Sequence, residues 1–191
     1  RTGEALILTG LQKHHHVLEI GCGALVAGIP IIDFVEESHY VGIEPNKWLV
    51  DDGLSSIKQL HSKKPVFLYN ENFDSTELQI KFDYIISHSV MSHASEQQLL
   101  LFLKNCSKVL NIGGKLLFSL RFQKEGKEDS DINAMDDKWH YPESVFISRE
   151  LFYKYISPFF DSVEERKDII GLILKSHPLA RHDWILAYNS K

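Results

Sequence analysis

Five consecutive residues, Glu19-Ile20-Gly21-Cys22-Gly23, combine a carboxylate with a tight glycine turn at the end of the apolar run Val17-Leu18-Glu19-Ile20. Glycine lets a backbone approach a ligand closely, and a helix that follows such a turn offers unpaired N–H groups and positive potential at its start. That chemistry suits a nucleotide cofactor. A dinucleotide fingerprint starting at Gly21 would need a third glycine at position 26, where the chain has Val26. Glu19 also sits where an acid would repel a pyrophosphate but favour a cationic ligand. A second acid, Glu44, ends the run Tyr40–Ile43 and leads into Pro45-Asn46. A carboxylate at a strand end can accept hydrogen bonds from both hydroxyls of a ribose.

The chain holds 10 histidines, several of them grouped by position. His88 and His93 flank the end of the run Phe82–Ser87, at the sheet edge where open α/β folds place their ligands. Both are candidates for a general base, since imidazole titrates near neutral pH; His88 is the better placed of the two, and His93, just before the capped helix, has the alternative of only fixing that loop. His140, beside Trp139 and Tyr141, follows a polar stretch and is a third candidate at the substrate rim; His177-Pro178 lies in a late loop of similar character. His14-His15-His16 runs directly into the first strand, where neighbours point to opposite faces, and reads as a polar entry to the strand rather than a metal tract. Cys22 and Cys106 have no metal-site spacing and make no disulfide framework, so no metal is expected.

The elements that must carry these groups alternate between apolar strand-like runs and amphipathic helices, the pattern of a mainly parallel sheet covered on both faces. Strands are expected at 17–20, 40–43, 66–69, 82–87 and 115–121. Helices are expected at 25–37, with Pro30 tolerable only near a first turn, at 48–60, at 95–110 and at 148–159. Ser95 and Gln98 have capping-box spacing ahead of Leu99, Phe102, Leu103, Cys106, Val109 and Leu110. Asn111-Ile112-Gly113-Gly114 reads as a turn. Segments 161–171 and 183–188 are expected to close the sheet as an antiparallel pair. The polar stretch 124–138 reads as a solvated loop, with a lid over the site as the sharper alternative.

The chain's 191 residues suit one domain, and 43% hydrophobic with 25% charged residues is ordinary for a globular protein. Lys and Arg number 21 against 26 Asp and Glu, a net charge of −5, which disfavours non-specific nucleic-acid binding. No apolar run is long enough to span a membrane, no signal peptide is visible, and the thiol content fits a cytoplasmic protein. The chain begins with Arg1, consistent with a domain of a longer protein.

Taken together, these segments resemble the class I S-adenosylmethionine-dependent methyltransferase family. Val17–Gly23 resembles that family's first motif and Tyr40–Asn46 its second. Asn70-Glu71-Asn72-Phe73 stands where the family places an acidic or amide residue beside adenine. Phe82–Val90 and Val109–Lys115 resemble its fourth-strand and fifth-strand motifs. The resemblance spans residues 15–121. It implies a doubly wound, mostly parallel seven-stranded sheet with helices on both faces and an antiparallel C-terminal strand. It also implies S-adenosyl-L-methionine as cofactor, held by Glu19, Gly21, Cys22, Gly23, Glu44, Pro45, Asn46, Asn72, Phe73 and Ser87. The chain departs from the pattern at Leu25, where a glycine is common, at Asn72 instead of Asp, and in its short segment before Val17. Residues 122–147 would be a loop or lid and 148–191 a C-terminal helix with closing strands. The expected reaction is methyl transfer to a small-molecule or carbohydrate acceptor, favouring a hydroxyl oxygen. The rivals are a cofactor-binding domain of a larger biosynthetic protein without catalysis, and an NAD(P)-dependent oxidoreductase.

Overall fold

A computed structural model describes residue 6 and residues 9–56, 62–124, 138–169 and 182–189. In chain order the elements are β1 (Val17–Ile20), α1 (Gly28–Phe34), β2 (Tyr40–Ile43), α2 (Lys47–Ser55), β3 (Val66–Leu68), β4 (Phe82–Ser87), α3 (Glu96–Val109), β5 (Leu110–Leu120), α4 (Arg149–Ile156), β6 (Ser162–Glu165) and β7 (Asp183–Tyr188). They form one seven-stranded sheet in the order β3-β2-β1-β4-β5-β7-β6. Strands β1 to β5 pair in parallel, and β7 runs antiparallel to both β5 and β6. The strand order reverses between β1 and β4, which opens a crevice beyond their carboxyl ends.

Side-chain alternation explains why both faces are covered. Leu18, Ile20, Ile85, Leu116 and Phe118 point to one side and pack on Phe102, Leu103 and Cys106 of α3 and Phe152 of α4. Val17, Tyr84, Ile86, Leu117, Trp184 and Leu186 point to the other and meet Ile31 and Ile32 of α1 and Val50 of α2. Burial of both faces selects the near-continuous apolar runs seen in the sequence.

The local signals account for most boundaries. Ser95 caps α3: its Oγ accepts from Gln98 N–H (3.3 Å) while Gln98 Oε1 accepts from Ser95 N–H (2.9 Å). Ser148 caps α4 by accepting from Leu151 N–H. Helix α1 is shorter than the periodicity of 25–37 suggests. Leu25 takes φ +62 and belongs to the glycine turn, and Pro30 falls in the first turn of the helix. Helix α2 ends at Ser55 instead of continuing to 60. Gly53, an odd residue inside a helix, lets α2 lie against that turn: a Cβ there would meet the Ala24 carbonyl oxygen at 2.6 Å. The expected turn at 111–114 is instead a bulge inside β5. Phe82 pairs with Leu110 and Tyr84 with Lys115, and Gly113 absorbs the irregularity at φ +74 while donating to Asn189 O. No helix among the described residues is long and apolar enough to cross a membrane.

Candidate functional site

Gly21 lies directly beneath the crevice with φ +73, and a Cβ there would meet Val90 Cγ2 at 2.3 Å. Conformation and space both demand glycine. Gly21 and Cys22 donate their N–H groups to Ile43 O at the end of β2, which fixes the turn to the neighbouring strand. Glu44, only 7% exposed, braces the turn from that strand: Oε2 accepts from Gly23 N–H (3.1 Å), and Oε1 from the Asn46 backbone N–H (3.0 Å) and Nδ2 (3.1 Å). Its remaining lone pairs face the crevice that Glu44, Pro45 and Asn46 line.

Glu19 and Cys22 are not on the crevice wall. Glu19 points toward α1, is 4% exposed, and accepts a 2.6 Å hydrogen bond from Tyr40 Oη. Burial pushes its carboxyl up to about 7, against the lowering effect of that hydrogen bond. Gly28 keeps the space above it open, since a Cβ would stand 2.9 Å from Glu19 Oε2. Cys22 is buried with its Sγ against Gly42, and burial drives its thiol far up, so it packs as a small apolar group.

At the far end of the crevice the structure redistributes the expected residues. Asn70, Glu71 and Phe73 line it, but Asn72 does not: its Oδ1 accepts from Asp74 N–H (3.1 Å) and closes a local turn. Phe73 takes φ +61 and packs edge-on to Phe102 and Trp139. Asn70 donates to Asp74 O, which leaves its Oδ1 buried with no partner among the described residues. Trp48 and Leu49 of α2 supply an apolar wall.

Beyond the end of β4, His88, Ser89, Val90 and His93 line the opposite end. His93 Nδ1 lies 2.6 Å from Glu143 O. A carbonyl only accepts, so Nδ1 carries the proton and Nε2 holds the free lone pair. The same stretch is tied down by His140 N–H to His93 O and Val145 N–H to Ser92 O, which brings Trp139 and Tyr141 to the rim. His140 itself is turned away. Its Nε2 is buried without a partner among the described residues, and it is not part of the crevice lining. Ser87 is fully buried beneath the crevice and does not line it.

One residue at this end was not anticipated. His182, just before β7, has Nδ1 3.2 Å from Ser119 Oγ and Nε2 3.5 Å from Ser89 Oγ, and its ring lies 5.7 Å from that of His88. Burial, aided by His88, Arg121 and His93, holds its imidazole down at about 4. The signal was available: a last strand running antiparallel must begin at the edge where the parallel strands end. His177-Pro178 and residues 125–137 lie outside the described residues.

The crevice thus has about 640 Å³ of space between a glycine turn braced by the Glu44 carboxylate and a histidine-rich end. A family profile described as "Methyltransferase domain" matches residues 18–116. The chain is 26% identical over 164 residues, 85% of its length, to an uncharacterized protein of Methanocaldococcus jannaschii, of which that match covers 40%. It spans two fifths or less of the curated relatives it matches. Among solved structures, the YcgJ protein from Bacillus subtilis is similar at a TM-score of 0.70 and 15% identity, covering 100% of this chain and 98% of that one. Magnesium protoporphyrin IX methyltransferase from Synechocystis PCC 6803, solved with S-adenosylhomocysteine (SAH) bound, is similar at a TM-score of 0.66 and 14% identity, covering 98% and 80%.

Proposed function

Because the chain belongs to the methyltransferase-domain family, we propose that it transfers a methyl group from S-adenosylmethionine to a hydroxyl oxygen of a small-molecule or carbohydrate acceptor. The residues present fit that cofactor. Glu44 faces the crevice with both oxygens already oriented by the Gly23 and Asn46 amides, as a ribose diol requires. The unpartnered Asn70 Oδ1 and the Glu71 side chain stand at the adenine end, with Trp48, Leu49 and Phe73 for the ring faces. Asn70 and Glu71 therefore take the place first expected of Asn72. Glu19 acts from beneath the turn as a buried carboxyl whose ionised form favours a cation above it.

When bound, S-adenosylmethionine supplies an electrophilic methyl on a sulfonium, so attack by an acceptor oxygen forms a C–O bond as the C–S bond breaks. The protein's part is alignment and proton removal. His93 carries the reading of an oxygen acceptor: with Nδ1–H committed to Glu143 O, its Nε2 is the group that takes the hydroxyl proton. His88, held below its ordinary range by burial, stays neutral beside it. Trp139 and Tyr141 flank the acceptor as apolar walls.

Calorimetry with SAH and with NAD tests the cofactor, and SAH alone is expected to bind. His93→Ala is expected to lower kcat on a hydroxyl acceptor by about 10²–10⁴ while leaving SAH affinity unchanged. Undiminished turnover of that variant would remove His93 as the base.

A further inference from the structure

The antiparallel register of β5 and β7 ends at the pair Leu120–Asp183, so Arg121 and His182 stand opposite each other one step further on. Alternation places Ser119 and Arg121 on one face, with Trp184 opposite Ser119 and His88, the residue just past β4, across from it. The contacts agree: His88 lies 5.0 Å from Trp184, and Ser119 Oγ accepts from Ser89 N–H at 2.9 Å while meeting His182 Nδ1 at 3.2 Å. Ser89 is held at φ +61, a conformation a serine rarely takes, and it lines the crevice.

The charge at this edge is one-sided. Among the described residues no carboxylate lies within ion-pair distance of Arg121, and its Nε is buried with no partner. Its guanidinium is steadied by the Phe146 ring, 5.8 Å away. Asp183, next to His182 in the chain, points to the other face, where it accepts from Phe122 N–H. The register sets the His182 imidazole opposite Arg121, and Ser119 lies two residues before it on the same face. A half-buried cation whose Nε has no partner, opposite a neutral imidazole in a chain of net charge −5, is an arrangement that an anion would complete.

We infer that the ends of β4, β5 and β7 form a subsite for an anionic group of the acceptor, a carboxylate or a phosphate, with Arg121 supplying the charge and Ser89 and His182 the neutral hydrogen bonds. This rests on the methyl-transfer reading of the adjoining crevice. The low proton affinity of His182, set first by burial and lowered further by His88, Arg121 and His93, keeps its imidazole neutral beside Arg121.

The test uses the protein saturated with SAH, so that the cofactor's own carboxylate is already placed. Inorganic phosphate and acetate are titrated separately while the His182 imidazole resonances, identified by their loss in His182→Gln, are followed by NMR. A saturable shift with one anion, and a rise in the pH midpoint of His182, are expected; the anion that produces them tells carboxylate from phosphate. Arg121→Gln should weaken that response by about tenfold or more with SAH affinity unchanged, and Arg121→Lys by less. No saturable response to either anion in the SAH-bound wild type overturns the subsite, and that wild-type result decides the matter if Arg121→Gln does not fold. A parallel loss of SAH affinity in Arg121→Gln also overturns it, assigning Arg121 to the cofactor carboxylate. Failure of the wild type to bind SAH at all would instead sink the methyl-transfer reading.

Discussion

Within the proposed cofactor site, Glu44 is the residue whose loss should weaken binding most directly. Its carboxylate makes three hydrogen bonds within the chain and still faces the crevice. In Glu44→Gln one oxygen becomes an NH₂ that must face a donor, either Gly23 N–H or the Asn46 amides. Calorimetry should find SAH affinity reduced by about 10–100-fold; an unchanged affinity would remove Glu44 from the cofactor contacts. Glu19 predicts a pH effect. With its folded-state carboxyl at about 7, it is increasingly ionised as pH climbs through that value, so a ligand carrying positive charge above it should bind more tightly. Glu19→Gln should flatten that dependence. The sequence made both acids legible because each sits at a strand end. It could not show that Asn72 turns aside while Asn70 and Glu71 line the crevice, because side-chain direction in a loop with Phe73 at positive φ follows no period.

Helix α2, which supplies Trp48 and Leu49 to the crevice wall, joins that end of the crevice to the glycine turn at the scale of elements. Gly53→Ala would push a methyl into the Ala24 carbonyl, and it should cost about 1–3 kcal/mol in chemical denaturation. Because Ala24 belongs to the turn, SAH affinity should fall as well. Ser95→Ala removes one half of the capping box of α3 and should cost about 1 kcal/mol with little effect on ligand binding. Equal effects of the two substitutions on binding would show that α2 has no special coupling to the turn. The capping box, the buried strands and the closing antiparallel pair could all be read from residue spacing, since each is set by neighbours within a few positions or by burial on both faces. The bulge at Gly113 could not, since it arises from pairing between strands far apart in the chain.

Across the whole molecule, two buried groups give stability opposing dependences on pH. His182 keeps its proton up to 6.5 when unfolded but only to about 4 when folded, so stability falls as pH drops from 6.5 toward 4. Glu19, raised from 4.5 to about 7, contributes fully below 4.5 and loses that contribution as pH rises through 7. The two slopes largely offset one another between 4.5 and 6.5. A cationic ligand holds Glu19 ionised and removes the second slope. The rise in Tm produced by saturating S-adenosylmethionine, whose sulfonium carries the charge, should therefore grow as pH climbs toward about 7 and then level off. A constant rise across that range in differential scanning calorimetry would mean that Glu19 does not respond to the ligand.

The contact between Gly21 and Val90 has a consequence for how the two halves of the crevice fill. The glycine turn and the loop that carries Ser89 and His93 touch so closely that no side chain fits between them. Neither can shift without displacing the other, so their ligands share one free energy. Acceptor and SAH should each change the other's dissociation constant by the same factor, a reciprocity that measurements begun from either side must reproduce. Loosening Val90 to alanine should bring that factor toward one.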